Sequence, residues 1–109
     1  MSLVLTPTVS LADAPIITNV ELQRDNTVVA VTIQHPDTGW DHYADGFEVL
    51  TMDGTSLGVR TLFHPHVEEQ PFTRSLTGVV IPEGHNQIQV RAKCSVDGWS
   101  ETTTIVDLD

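Results

Sequence analysis

The stretch QIQVRAKC, residues 87–94, decides the fold class because apolar and polar side chains alternate along its whole length. In an extended chain, successive side chains point to opposite faces, so the apolar members share one face. Those members are Ile88, Val90, Ala92 and Cys94. One buried face and one solvated face are typical of a strand in an antiparallel β-sandwich.

The flanking sequence repeats the same signal. Short runs of β-branched residues are separated by turn-forming residues such as Asp53-Gly54 and Pro82-Glu83-Gly84, and helical periodicity is absent. Seven strands are predicted, at 16–23, 27–34, 46–52, 56–63, 73–81, 87–94 and 100–108. The sequence therefore predicts an all-β fold, a seven-stranded antiparallel sandwich of the immunoglobulin-like or fibronectin III-like type.

Length and charge limit the classes of function. The chain has 109 residues, with 5 Lys+Arg against 15 Asp+Glu and a formal net charge of -10. Such an acidic protein repels nucleic acid and anionic membranes, and it attracts cations. No apolar stretch is long enough to cross a bilayer, so membrane insertion is not expected. We expect one β-sandwich domain over residues 13–109.

The first twelve residues have a separate character. They are apolar and uncharged, and Ser10 and Ala12 suit cleavage by signal peptidase after Ala12. Residues 1–12 are either the remnant of a signal peptide or an ordinary flexible N-terminus. The first interpretation predicts a periplasmic or otherwise exported protein, and the second leaves a cytoplasmic location open.

Strand direction predicts where the chemically active side chains meet. If each connection reverses the chain, the start of strand one and the connections 2–3, 4–5 and 6–7 share one end of the sandwich. Four of the five histidines and the only cysteine then lie at that end, while His85 lies at the other. The candidate metal ligands there are His35, His42, Cys94, Asp97, Asp13, His64 and His66.

Imidazole and thiolate are the preferred protein ligands of iron, copper and zinc, so this end is a candidate metal site. Each residue also has an ordinary structural explanation. His35, which precedes Pro36, is also consistent with the end of a strand, and Cys94 with a small core residue. Spacing alone leaves both interpretations open.

Three motifs in chain order resemble the iron domain of the superoxide reductases (desulfoferrodoxin and neelaredoxin). They are DAPII at residues 13–17, HPDTGWDHYADGFEVL at 35–50 and CSVDGW at 94–99. The family has a seven-stranded immunoglobulin-like sandwich. Its iron has four equatorial histidines and one axial cysteine, and its sixth position is open to superoxide. The resemblance implies that His35 and His42 are equatorial ligands and that Cys94 is the axial ligand.

The chain departs from the family pattern at two ligand positions. Asp97 and Asp13 stand where the family has histidine, so these aspartates or His64 and His66 are the candidates for the remaining ligands. The family's lysine before the first histidine is also absent. The resemblance therefore implies an iron protein that reacts with reactive oxygen species and has an electron-donor protein as partner. It leaves superoxide reductase activity, an oxidoreductase reaction, as an open question.

A second interpretation comes from a different class of protein. The stretch IQVRAKCSVDGWSE, residues 88–101, also resembles the last two strands of a fibronectin type III repeat. Domains of that type commonly act as non-catalytic binding modules or partner subunits without a metal. Bound iron, copper or zinc in the purified protein would favour the first interpretation over the second.

Overall fold

The computed structural model describes residues 14–108, and every regular element in that range is a β-strand. The eight strands are β1 (Ile16–Gln23), β2 (Val28–Gln34), β3 (Ala44–Thr51), β4 (Ser56–Thr61), β5 (Phe72–Leu76), β6 (Gln87–Cys94), β7 (Gly98–Trp99) and β8 (Thr104–Asp107). They form two antiparallel sheets arranged as a sandwich, which confirms the predicted all-β, immunoglobulin-like fold class.

One sheet has the order β1-β2-β5, and the other has the order β4-β3-β6-β7 with β8 also paired to β6. Each pairing is antiparallel, in agreement with chain reversal at every connection from β1 to β7. β7 and β8 both pair antiparallel with β6, so these two strands run in the same direction. The core between the sheets comes mainly from β2, β3 and β6. In β6 the predicted alternation is complete, with every second side chain buried from Ile88 to Cys94.

Two predicted strands differ from the structure by more than two residues at one end. The fifth was expected to reach Ile81, but β5 ends at Leu76, and the chain then turns at Gly78, whose φ of 71° is in the left-handed region. The seventh was expected to run through 100–108 without a break. Only β8 (Thr104–Asp107) lies within that range, because β7 ends at Trp99. The N–H of Ser100 still donates to the carbonyl of Ala92 in β6, but the N–H of Thr102 donates locally to the Ser100 hydroxyl at 3.4 Å.

The connections after β2, β4 and β6 lie at one end of the sandwich, which we call the histidine end; it comprises residues 35–43, 62–71 and 95–97. The turns β1–β2, β3–β4 and the β5–β6 connection lie at the opposite end, which we call the turn end. None of the described residues belongs to a helix with the length and apolar character needed to cross a membrane. The predicted boundary near residue 12 and the predicted ligand Asp13 lie outside the described residues.

Candidate metal centre

Three side chains of the histidine end come together in the structure. His35, His42 and Cys94 each offer one ligand atom, and these atoms all lie within 4.8 Å of one another. Counting chain reversals predicted that these residues share one end of the sandwich, and the structure brings them into one cluster. Three separate elements supply them, since His35 follows β2, His42 precedes β3 and Cys94 ends β6.

His35 is buried and held on two sides. Its Nδ1 lies 2.6 Å from Oδ1 of Asp37, and its backbone N–H donates to Oε1 of Gln70 at 3.0 Å. A carboxylate oxygen only accepts, so the proton of this bond is on Nδ1, and a neutral ring then has its lone pair on Nε2. Nε2 is buried and has no hydrogen-bond partner within residues 14–108.

His42 is positioned by a tight turn that begins at Thr38. The N–H of Thr38 donates to the carbonyl of His42, and the N–H of His42 donates to the carbonyl of Gly39. Gly39 has a φ of 138°, a conformation that side chains rarely allow. The turn sets the His42 ring edge-on to the His35 ring at a centroid distance of 4.8 Å. Nε2 of His42 is likewise buried, with no partner in the part of the chain that the structure describes.

Cys94 reaches the cluster because it occupies the last inward position of β6, where it pairs with Ala44 of β3. It is a buried free thiol. The backbone N–H of Asp97 donates to its Sγ at 3.2 Å, and Sγ lies 3.6 Å from Oδ2 of Asp97. Gly98, with a φ of 74°, allows the tight return into β7 that places this N–H beside the sulfur.

These donors suit a transition-metal ion. Buried polar groups normally have hydrogen-bond partners, and two imidazole nitrogens without one beside a buried sulfur are an exception that requires an explanation. With metal–nitrogen and metal–sulfur bonds of about 2.1 and 2.3 Å, donors lie about 3.4 to 4.4 Å apart. Separations within 4.8 Å therefore need only small side-chain shifts to close around one ion.

The other predicted ligands are not members of this three-residue group. Asp97 is exposed, and its contact with the cluster is made through Cys94. His64 is exposed and lies beside His66, with ring centroids 4.6 Å apart. His66 is buried and stacks on Phe72 at 4.0 Å. Whether any of these residues, or Asp13, binds a metal remains a prediction.

His66 is nevertheless an unusual residue for a core position. Both ring nitrogens are buried without a hydrogen-bond partner among the described residues. Burial lowers the pKa of His66 below its ordinary value of 6.5, and the nearby charges of Arg74 and His64 lower it further. The ring is therefore neutral at physiological pH, with a free lone pair.

Sequence reasoning missed one buried residue of the site, Asp37. Its carboxylate accepts from Nδ1 of His35, from the backbone N–H of Ala44 at 3.0 Å and from the backbone N–H of His66 at 2.8 Å. The sequence places Asp37 in a Pro-Asp-Thr-Gly segment, where aspartate is an ordinary turn residue. Its position two residues after a candidate ligand was the only signal that could have identified it.

Comparisons with solved structures agree with the fold described above. No protein-family model matches the chain. A superoxide reductase (1Fe-SOR) from Giardia intestinalis superposes with a TM-score of 0.53 and 17% identity, over 82% of this chain and 95% of that one. A hypothetical protein from Pyrococcus horikoshii superposes with a TM-score of 0.51 and 16% identity, over 88% of each chain. At these identities the likeness concerns the fold alone, which is a superoxide reductase-like β-sandwich.

A curated relative is more similar in sequence. It is described as a "Putative lipoprotein" of Halomicrobium mukohataei and is 40% identical over 80 residues, which are 73% of this chain. The matched region spans 39% of the relative's length, so this chain corresponds to about two fifths of that protein.

Proposed function

We propose that this protein binds one transition-metal ion, iron in the first instance, through Nε2 of His35, Nε2 of His42 and Sγ of Cys94. One observation carries the proposal: His35, His42 and Cys94 each offer a ligand atom within 4.8 Å of the other two, and each of the two rings has a buried Nε2 without a hydrogen-bond partner within residues 14–108. Leaving a buried polar atom unsatisfied costs about 1–3 kcal/mol, and a bound ion would remove that cost for both rings.

The donor set is compatible with a redox-active ion such as iron or copper, as well as with zinc. Imidazole suits iron, copper and zinc, and thiolate prefers the softer states of these metals. A bound iron would supply one-electron chemistry, with the thiolate donating electron density to it. The protein's own contribution is to exclude water from the donors, to present Nε2 of His35 through the bond from Nδ1 to Asp37, and to moderate the sulfur charge through the N–H of Asp97.

We further propose that the loaded protein reacts with reactive oxygen species, supplied with electrons by a donor protein. The support is the superoxide reductase-like fold together with the cluster of His35, His42 and Cys94, which lie in the motifs that resemble that family. Rapid reduction of superoxide itself is less favoured, because the net charge of -10 repels an anionic substrate. The relative described as a lipoprotein supports export from the cytoplasm as part of this proposal.

Metal reconstitution tests the binding proposal. The purified chain is loaded with Fe(II) without oxygen, desalted, analysed for iron and then oxidised. We expect about one iron per chain and a visible thiolate-to-Fe(III) charge-transfer band. Cys94→Ser should abolish the band, and His35→Gln should reduce the retained iron at least tenfold. His85→Gln, a histidine of the turn end, is the matched control and should behave as wild type.

Two outcomes of this experiment would contradict the proposal. If the folded wild-type chain retains no iron, copper or zinc after loading, the metal proposal is wrong, and a non-catalytic binding module becomes the better interpretation. If iron is retained but Cys94→Ser keeps the same band, the cysteine is not a ligand. Consumption of superoxide by the loaded protein is measured separately, with the metal-free chain as its blank.

A further inference from the structure

Asp37 is a buried residue of the histidine end whose carboxylate accepts several hydrogen bonds. Three N–H groups reach it, from the His35 ring and from the backbones of Ala44 and His66, with donor–acceptor distances of 2.6, 3.0 and 2.8 Å. The ion pairs that it forms within residues 14–108 are with histidines alone, His35 and, at 4.0 Å, His66. A buried carboxylate held by N–H groups and no lysine or arginine is costly, which indicates a role beyond closing a turn.

The bond to the His35 ring has a chemical consequence. A neutral imidazole has one N–H and one lone pair, so a proton held on Nδ1 leaves the lone pair on Nε2. Nε2 is the buried atom without a partner. Carboxylates that accept from a ligand histidine in this way fix the ring orientation and raise its basicity towards the metal.

The two backbone bonds connect Asp37 to the rest of the site. Ala44 is the residue of β3 that pairs with Cys94, so its N–H ties the carboxylate to the strand position opposite the sulfur. The N–H of His66 ties the same carboxylate to the β4–β5 connection. Gln70 reinforces this link, since its side chain accepts from the N–H of His35 and donates to the carbonyl of His66.

We propose that Asp37 is the positioning residue of the metal centre: its carboxylate fixes the His35 tautomer that presents Nε2 to the ion, and joins this ring to the β3 and β4–β5 segments. The inference rests on the proposed function for its metal-binding consequence. Its tautomer consequence can be measured on the metal-free protein. The two parts can therefore fail independently.

The first measurement is on the metal-free wild-type chain. Long-range ¹H–¹⁵N spectra of the imidazole rings distinguish a proton on Nδ1 from a proton on Nε2. We expect His35 to be protonated on Nδ1 and unprotonated on Nε2. A proton on Nε2 of His35 would overturn the inference, and this result does not depend on the folding of any variant.

The second measurement compares Asp37→Asn with Asp41→Asn. Both variants lose one carboxylate from the same connection, but Asp41 is exposed, so the second variant is the matched control. We expect Asp37→Asn to weaken Fe(II) binding by 10- to 100-fold and to populate the other His35 tautomer, with Asp41→Asn unchanged. Equal affinity in folded Asp37→Asn and wild type would refute the positioning role while leaving the metal site intact. Wild-type protein with the expected tautomer and no metal affinity would instead refute the proposed function.

Discussion

The two ends of the sandwich satisfy their polar groups in different ways. At the turn end the turns are closed mainly by local bonds: both the N–H and the hydroxyl of Thr27 donate to the carbonyl of Arg24, and the hydroxyl of Thr51 donates to Asp53. The N–H of Val79 also donates to the carbonyl of Thr27, between backbone groups. The histidine end also has local bonds, but there a buried carboxylate joins separate connections, as in the bond from the N–H of His66 to Asp37, 29 positions away. Ring nitrogens of His35, His42 and His66 at that end also have no hydrogen-bond partner within residues 14–108, although these side chains are buried or half-buried.

This contrast distinguishes the residues that are needed to reverse the chain from residues that have another role. A turn needs only to reverse the chain, and short-range hydrogen bonds are sufficient for that purpose. Buried histidines and a buried aspartate add nothing to chain reversal, and they cost stability unless all their polar atoms are paired. The histidine end therefore carries a stability cost that a bound ligand can offset, as is common at functional sites.

The largest expected effect is stabilisation by the metal. At a free Fe(II) concentration of a thousand times Kd, a single site adds about 4 kcal/mol to the free energy of unfolding. Urea denaturation with and without Fe(II), under anaerobic conditions, measures this difference. Cys94→Ser should lose most of it, while His85→Gln at the turn end should keep it in full. Equal gains in all three chains would mean that the ion binds elsewhere.

A smaller effect is expected from His66→Phe. The neutral His66 ring stacks on Phe72 with both nitrogens unpaired, so an apolar ring in the same place removes a desolvation cost. We expect the metal-free variant to gain about 1 kcal/mol in free energy of unfolding. The backbone bond from residue 66 to Asp37 does not depend on this side chain.

The same variant tests whether His66 is a further metal ligand. Unchanged Fe(II) affinity together with the stability gain would make the ring a destabilising core residue. Loss of stability in the metal-free variant would contradict the prediction, since it would mean that the imidazole makes favourable interactions. Tenfold weaker Fe(II) binding would add His66 to the ligand set.

Much of the fold was predictable because it depends on the alternation of apolar and polar residues along the strands. The bounds of β1 and β6 agree with the predicted ranges 16–23 and 87–94, and the inward position of Cys94 follows from the same alternation. The later start of the last strand, at Thr104 instead of residue 100, was not predictable, because it depends on a local bond from the N–H of Thr102 to the Ser100 hydroxyl.

The site was predictable in part for the same reason. Counting chain reversals places His35, His42 and Cys94 at one end, but it gives no distances between side chains. The role of Asp37 depends on an N–H of His66 that lies 29 positions away along the chain, and no local pattern encodes such a contact. Likewise, the spacing of His64 and His66 does not reveal that one ring is exposed and the other stacks inside.

The smallest expected effect is a pH dependence at the turn end. Hydrogen bonds from Thr51 and Thr55 lower the pKa of the exposed Asp53 below its ordinary value of 3.8, with a minor contribution from His85. A carboxyl whose pKa is lower in the folded state stabilises the fold above its unfolded pKa. This contribution is lost as the pH falls through the folded pKa.

Asp53→Asn therefore should be less stable than wild type above about pH 4, and the difference should shrink towards zero as the medium becomes more acidic. Urea denaturation between pH 6 and pH 2 measures it, with Glu83→Gln as a control for the loss of one exposed acid at the same end. A difference that stays constant across this range would show that the Thr51 bond does not distinguish the ionised carboxylate of Asp53 from its protonated form. In that case the charge of Asp53 would not affect the stability of the fold. Any acid sensitivity of folding would then originate elsewhere, and the buried groups of the histidine end would be tested next.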